Sequence, residues 1–315
     1  MCALFGFLAD IERPDFVLDQ ISSVLLHRGP DDRGKYIDGR LGLGHNRLSV
    51  IDLSTAGHQP MLLEKDGLVL VFNGEIFNYR ELRKELSGEF FFSATDSEVL
   101  LRAFKVWGKE CLQRLNGMFA FAIWDRNKRE LFLARDRFGI KPLYYSCRPD
   151  GFYFASEPKG LFAAGVPRST NLVAWSTYLT LGTYEHAEYT FFEGVCQLRA
   201  GHCMTVASDG KVQIEAYYDL AKKVMESATE KIEDENRISN EYLSTLNNAV
   251  DICFRSDVPV GIAISGGVDS SILMAMVRES GQNSDQIKAF TYTCGDERYD
   301  ETPWVRELLI QQAHP

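Results

Sequence analysis

The feature that most constrains this chain is a change of hydrophobic pattern near Leu220. Before it, short apolar or alternating runs are punctuated by Gly, Asp and Asn, the pattern of a chain of antiparallel strands. The runs predict strands over residues 3–8, 41–50, 68–72, 119–125, 131–135, 143–146 and 152–156. Arg126-Asn127-Lys128-Arg129 makes a polar hairpin tip between two of them. Helical spacing predicts helices over 15–26 and 96–115, the second opening on Asp96 as its N-cap. After Leu220, residues 221–240 are rich in charge and read as a solvated linker leading into a helix over about 236–254. Then come a buried-strand pattern over 258–264, a Gly-rich turn, a helix over 270–279 and a second strand over 288–293. Strand, helix, strand in that order opens a parallel α/β sheet. The 315 residues suit about two such domains.

Composition narrows the function. Lys and Arg total 34 against 44 Asp and Glu, a formal charge of −10. A nucleic-acid backbone binder needs clustered basic charge, so that class is not expected. The longest uncharged stretch, 169–184, is shorter than the roughly 20 apolar residues of a bilayer span. The N-terminus lacks the basic leading region of a secretory signal. Seven cysteines (2, 111, 147, 196, 203, 253 and 294) show no C-x-x-C pair, which fits neither a disulfide framework nor a zinc site. These features predict a cytoplasmic protein with reduced thiols.

Five residues carry chemistry in the first region. If Met1 is trimmed, Cys2 holds a thiol and a free α-amine on one skeleton, and the amine, titrating near 7.7–8.0, can serve as base for its own nucleophile. Asn73-Gly74 follows a predicted strand, where a side-chain amide and an exposed backbone N–H would make the two donors of an oxyanion hole; an Asn-Gly hairpin turn is the alternative. Arg47 can clamp a carboxylate bidentately. Asp96 can hold an ammonium group or simply cap its helix.

Read in order, Met1-Cys2-Ala3-Leu4-Phe5-Gly6, His27-Arg28-Gly29-Pro30-Asp31, His45-Asn46-Arg47-Leu48-Ser49, Asn73-Gly74-Glu75-Ile76-Phe77-Asn78 and Thr95-Asp96-Ser97-Glu98 resemble the class II glutamine amidotransferases. Gly117-Met118-Phe119-Ala120-Phe121-Ala122, the run from Arg135 to Tyr145 and Ala155-Ser156-Glu157-Pro158-Lys159 resemble the asparagine-synthetase branch of that family. The resemblance covers residues 2–220. It implies an α+β N-terminal-nucleophile fold, an αββα sandwich of two antiparallel sheets. It also implies that Cys2 is the nucleophile, that Asn73 and Gly74 form the oxyanion hole, and that glutamine is bound by Arg47, Leu48, Ser49, Val50, Ile51, Asn73, Gly74, Glu75 and Asp96. Two departures stand out. Ala3-Leu4 replace the family's usual Gly-Ile, which would tighten the space around the thiol, and Asn46 stands where many relatives carry Glu.

Beyond the linker, Ser265-Gly266-Gly267-Val268-Asp269-Ser270-Ser271 follows the buried strand and opens a helix, a geometry that lets backbone N–H groups and the helix dipole face a phosphate chain. The Lys of a Walker A loop is absent. The pattern resembles the pyrophosphate loop of ATP pyrophosphatases. It implies the start of an α/β parallel-sheet domain over 241–315 that binds ATP through Ile264, Ser265, Gly266, Gly267, Asp269, Ser270, Ser271 and Tyr292, with Asp269 on Mg²⁺. Together the two resemblances imply a glutamine-hydrolysing asparagine synthetase. Ammonia released at Cys2 would amidate a carboxylate activated by ATP and Mg²⁺, with aspartate as first choice of acceptor; a homodimer is left open. The alternatives are another acceptor, such as a sugar uronic acid or a natural-product precursor, a glutaminase acting alone, or an interaction role. Ending at Pro315, this chain is expected not to complete amide synthesis by itself.

Overall fold

A computed structural model describes residues 1–184, 188–227, 234–279, 287–293, 295–296 and 298–313, and the chain divides into two compact units, Met1–Glu226 and Ser227–Pro315. In the first unit the chain order begins β1 (Ala3–Ala9), α1 (Pro14–Val24), β2 (Asp32–Asp38), β3 (Leu41–Arg47), β4 (Met61–Leu63), β5 (Leu68–Ile76), α2 (Tyr79–Glu85) and α3 (Asp96–Trp107). It continues with α4 (Cys111–Arg114), β6 (Gly117–Asp125), β7 (Glu130–Arg135), β8 (Tyr144–Arg148), β9 (Gly151–Ala155), α5 (Pro158–Ala163) and α6 (Leu172–Leu181). The strands β10 (Cys196–Gln197), β11 (His202–Ala207) and β12 (Val212–Ala216) and the helix α7 (Leu220–Ser227) complete it. Two antiparallel sheets result, in the orders β10-β8-β9-β1-β3-β2 and β12-β11-β7-β6-β5-β4.

Strand periodicity builds the layers. In β1, Leu4 and Leu8 join Leu41 and Leu43 of their own sheet and Val69, Val71, Ala120 and Ala122 of the other in the core between the sheets. Ala3, Phe5, Phe7 and Ala9 point the opposite way, onto Leu18, Ile21 and Leu25 at α1 and Leu161 of α5. In β5, Leu68, Leu70 and Phe72 face Val99, Leu100 and Ala103 of α3. Helices therefore cover both outer faces, and the layers are αββα. Strands buried on both sides need apolar residues at every position. That is why β1 and β5 read as continuous apolar runs.

The structure moves several boundaries. The strand expected over 41–50 ends at Arg47, and 48–50 is loop. The strand expected over 68–72 runs on to Ile76, so Asn73-Gly74 lies inside a strand and the hairpin-turn alternative is wrong. The helix expected over 96–115 breaks at Gly108, whose φ of +55° suits glycine, and resumes as the short α4. Its N-cap is Thr95, whose Oγ1 accepts from Glu98 N at 3.1 Å, and Asp96 lies within the helix. Edge strands β2 and β12 escaped prediction because their polar, partly exposed residues give little hydrophobic signal.

Part of the expected linker is helical, as α7, while residues 228–233 of it lie outside the described residues. In the second unit α8 (Glu235–Cys253) is capped by Asp234, whose side chain accepts from Asn236 N and Arg237 N. Strands β13 (Gly261–Ala263) and β14 (Lys288–Phe290) pair in parallel, with α9 (Val268–Glu279) between them in sequence and α10 (Thr302–Ala313) after them. A small core of Val250, Met276 and Val277 joins α8 to α9. Among the described residues no helix is long and apolar enough to cross a membrane.

Candidate active site

A cavity of about 100 Å³ in the first unit brings Cys2, Arg47, Asn73, Gly74, Glu75 and Asp96 together. These residues come from the start of β1, the end of β3, the second half of β5 and the first turn of α3. Leu48, Val50 and Ile51 line the same cavity. Ser49 is held back by its N–H, which donates to Asp31 Oδ2 at 2.8 Å.

The thiol is held by the loop after β3. Leu48 N donates to Cys2 Sγ at 3.3 Å, and Sγ approaches Leu48 O at 3.5 Å. Burial pushes the Cys2 thiol up, while that N–H works against the rise. A neutral thiol needs a base to become a nucleophile. The Cys2 carbonyl accepts from Arg28 Nε at 2.9 Å, and Arg28 Nη1 donates to Glu157 Oε1 at 2.9 Å. Burial opposes ionisation of Glu157, but Arg28, Lys159 and His27 together outweigh it and hold the carboxyl down at about 2. Ala3 and Leu4 do not tighten this space. Their side chains enter the helix-facing and inter-sheet cores, and neither lines the cavity. Asn46 is likewise committed elsewhere, exchanging two hydrogen bonds with Ser22 of α1.

The edge of β5 supplies the donors. Strand β4 covers only residues 68–70, so from Val71 onward the edge away from β6 has no strand partner among the described residues. N–H groups of alternate residues point to that edge. Phe72 N donates to Gln59 Oε1 at 2.7 Å and Ile76 N to Asp96 Oδ2 at 2.9 Å. Gly74 N–H lies between them on the same edge and faces the cavity. A side chain at 74 would run into the Met118 carbonyl, so only glycine fits the strand at this point. Beside it Asn73 is 1% exposed, and its Nδ2 has no hydrogen-bond partner. A buried amide donor without an acceptor is costly and uncommon. An oxygen placed in the cavity would satisfy it together with Gly74 N–H.

Charge surrounds this pair. Burial, aided by neighbouring Glu75 and opposed by the bonds from Ile76 and its own helix turn, pushes the Asp96 carboxyl up to about 7. Burial also raises Glu75, against Lys141. Arg47 is buried and donates to the carbonyls of Ser54 at 2.8 Å, Asp52 at 2.5 Å and Ile51 at 3.3 Å. Its guanidinium thus fixes the 48–54 loop as well as facing the cavity. Sequence reasoning assigned no role to Lys141, which lines the cavity and whose ammonium is lowered by burial. Its backbone is set by Asp136, whose carboxylate accepts N–H bonds from Phe119, Phe138, Ile140 and Lys141. An acidic residue followed by a tight Gly turn was the available signal.

In the second unit the 265–271 loop turns at Gly266, φ +75°, into α9. Its hydrogen bonds are local: Gly267 N donates to Ser265 Oγ, and the hydroxyls of Ser270 and Ser271 donate to Gly267 O. The first N–H groups of α9 have no carbonyl in their own helix to bond, which suits a phosphate group. Asp269 is exposed in the first turn, and among the described residues no group of three metal-ligating side chains forms. Donors for phosphate are present, and Asp269 is the one carboxylate of the loop. Ile264 is 3% exposed and its N–H donates to Phe290 O at 2.8 Å, whereas Tyr292 is 84% exposed, so the two expected adenosine contacts are not equivalent.

Comparison with known proteins fits both units. The family profile "Glutamine amidotransferase domain" matches residues 1–218, and "Asparagine synthase" matches 241–311. The chain is 35% identical over 314 residues to "Asparagine synthetase [glutamine-hydrolyzing] 1" of Bacillus subtilis, covering 98% of this chain and 48% of that protein. Its likeness to "Asparagine synthetase [glutamine-hydrolyzing] 3" of the same organism is 31% over 328 residues, covering 98% and 52%. "Amidase chry2" of Gibberella zeae is 35% identical over 268 residues, covering 82% and 38%. The chain spans about half the length of the curated relatives it matches. Among solved structures, the glutamine phosphoribosylpyrophosphate amidotransferase of B. subtilis superposes with a TM-score of 0.53 at 18% identity, covering 92% of this chain and 65% of that one, which is a likeness of fold.

Proposed function

From the premise that this chain belongs to the glutamine amidotransferase family, we propose that residues 2–220 hydrolyse glutamine and that 241–315 belong to a synthetase region that uses the ammonia. The observation that carries the reading is the unpartnered Asn73 Nδ2 beside the inward Gly74 N–H, in the cavity that holds Cys2. Once Met1 is removed, the α-amine of Cys2 takes the thiol proton. The sulfur attacks the side-chain amide carbon of glutamine, and the carbonyl electrons move to the oxygen, which Asn73 and Gly74 hold. Collapse of this adduct expels ammonia, which leaves with the proton the amine had taken. Water then cleaves the thioester to glutamate and free thiol. Arg47 faces the substrate carboxylate, and Asp96 with Glu75 faces its ammonium.

The 265–271 loop and the start of α9 would hold the phosphates of ATP, with Asp269 on Mg²⁺. ATP supplies activation of an acceptor carboxylate as an acyl-adenylate with release of pyrophosphate, and ammonia then displaces AMP. Aspartate is the acceptor favoured by the named relatives. The likeness to a protein named an amidase keeps a different carboxylate as the second reading. A reducing, cytoplasmic setting is proposed on the free thiols of the described cysteines. Release of glutamate from glutamine by the chain, lost in Cys2→Ser, tests the first half. Absence of glutamate release from a chain shown to begin at Cys2 overturns it. Asparagine and pyrophosphate formed from aspartate and Mg·ATP, with other carboxylates in parallel, tests the second.

A further inference from the structure

Strand β4 pairs with β5 through Met61↔Leu70, Leu62↔Val69 and Leu63↔Leu68. Continued by two residues, this register would set Pro60 opposite Val71 and Gln59 opposite Phe72. The ladder stops short of Pro60, at Met61. The Phe72 peptide is instead gripped by two side chains. Its N–H donates to Gln59 Oε1 at 2.7 Å, and its carbonyl accepts from His45 Nε2 at 2.8 Å. A carbonyl only accepts, so Nε2 carries the ring proton, and the buried Nδ1 is left without a partner. Gln59 is anchored in turn, its Nε2 donating to Ser97 Oγ at 3.3 Å. Ser97 adjoins Asp96, which holds Ile76 N–H two residues beyond Gly74.

We infer that Gln59 and His45 are positioning residues of the oxyanion hole, fixing the strand segment from Phe72 to Ile76 so that Asn73 and Gly74 are aimed correctly. The inference rests on the glutaminase reading above. On its other edge β5 keeps its full ladder to β6, so the sheet does not depend on the Gln59 contact. What depends on it is where the β5 edge sits, and donors displaced by about 0.5 Å stabilise an oxyanion poorly. His45 lies in β3 of the opposite sheet, paired with Leu4, so the grip also ties that edge to the strand beginning beside Cys2.

The test uses Gln59→Leu, which removes the acceptor, and Gln59→Glu, which restores one for Phe72 N–H. Gln59→Leu is expected to lower kcat for glutamine hydrolysis about 10- to 100-fold, with KM within about threefold. Gln59→Glu is expected to recover most of the loss. A glutamine analogue with an aldehyde in place of the amide supplies the decisive readout. The Cys2 thiol adds across its C=O, the sulfur bonding to carbon and the proton passing to an oxygen that rests in the same hole. Its affinity should fall in parallel with kcat, while inhibition by the product glutamate stays unchanged. Should Gln59→Leu fail to fold, Ser97→Ala, which frees the far end of Gln59, should give a smaller loss of the same selective kind. Unchanged kcat, or equal weakening of glutamate and aldehyde, overturns the inference. An inactive wild type beginning at Cys2 would instead overturn the glutaminase reading itself.

Discussion

The Cys2 cavity and the 265–271 loop both answer to short sequence motifs, yet they are held in opposite ways. Around Cys2 several functional groups are fixed by distant parts of the chain. Leu48 reaches Cys2 across 46 positions, Asp96 reaches Ile76 across 20, and Arg28 joins Cys2 to Glu157, 129 positions further on. The hydrogen bonds of the 265–271 loop run among its own serines and Gly267, spanning five positions or fewer, while Gly266 packs beside Trp304. Long-range packing removes water, and with it come the raised Asp96, Glu75 and Cys2 groups and the orphaned Asn73 amide. The exposed loop offers a ligand its backbone N–H groups and the side chains of its serines and Asp269. A motif therefore marks two different things here: a chemical environment in one unit and a local turn in the other.

The largest effect should come from the nucleophile. Cys2→Ser is expected to lower glutamine hydrolysis by at least about three orders of magnitude without changing the thermal melt, because a hydroxyl is a far weaker nucleophile at neutral pH. Hydrolysis at the wild-type rate would remove the chemical distinction between the two units. Next, Asn73→Ala should reduce kcat by roughly 10²–10³, with a smaller change in KM. A KM effect without a kcat effect would show that the orphaned amide serves the ground state.

Arg47→Lys should raise KM for glutamine by about 10- to 100-fold, since a point charge cannot reproduce a planar fork. Because Arg47 also holds the carbonyls of residues 51, 52 and 54, limited proteolysis should cut the 48–54 loop faster in the variant. Unchanged proteolysis would confine Arg47 to substrate binding.

Asp96 sharpens the comparison through pH. Its folded value of about 7 lies above the ordinary 3.8, so folding favours the protonated form. The stability this gives is complete below about pH 4 and is lost as pH rises to about 7. Asp96→Asn should therefore melt higher than wild type at pH 8, by the equivalent of about 1–4 kcal/mol, and equal it near pH 4, while binding glutamine less well. A gap that is independent of pH would mean that burial does not set this group. The smallest effect is expected at the exposed loop: Asp269→Asn should leave glutamine hydrolysis within about twofold and the melt unchanged, as surface substitutions usually do. A large loss of hydrolysis would break the separation between the two regions.

Much of the site was legible because its residues sit in contiguous motifs, and those motifs alone single out Cys2, Arg47, Asn73, Gly74, Glu75 and Asp96. Gln59, His45 and Lys141 could not be given roles. A glutamine before a proline, a histidine in a strand and a lysine after a tight turn have many ordinary uses, and only their buried partners show otherwise. The same limit applies to the elements. Strands β1 and β5 were legible because both faces are buried, whereas β2 and β12 are polar at their edges. The true N-cap Thr95 was passed over because Asp96 is an equally good capping residue in sequence.

The two-sheet sandwich of the first unit was legible only through the family resemblance; by itself the sequence determined that this unit is rich in antiparallel strands, that the second opens as a parallel sheet, and which residue types could do chemistry. These follow from side-chain periodicity and from local turn chemistry, both written in neighbouring residues. Tertiary structure alone decided which β5 N–H groups reach the uncovered edge, that Asn73 Nδ2 is left without a partner, that Asp96 accepts from Ile76 N while Thr95 caps the helix, and that Ala3 and Leu4 fill cores rather than crowd the thiol. Each of those outcomes depends on where one element ends against another. Strand β4 stopping short of Pro60, α3 starting just after its cap Thr95 and β1 lying between two packed layers are long-range facts, and burial converts them into charge and hydrogen-bond demand that no local stretch of sequence specifies.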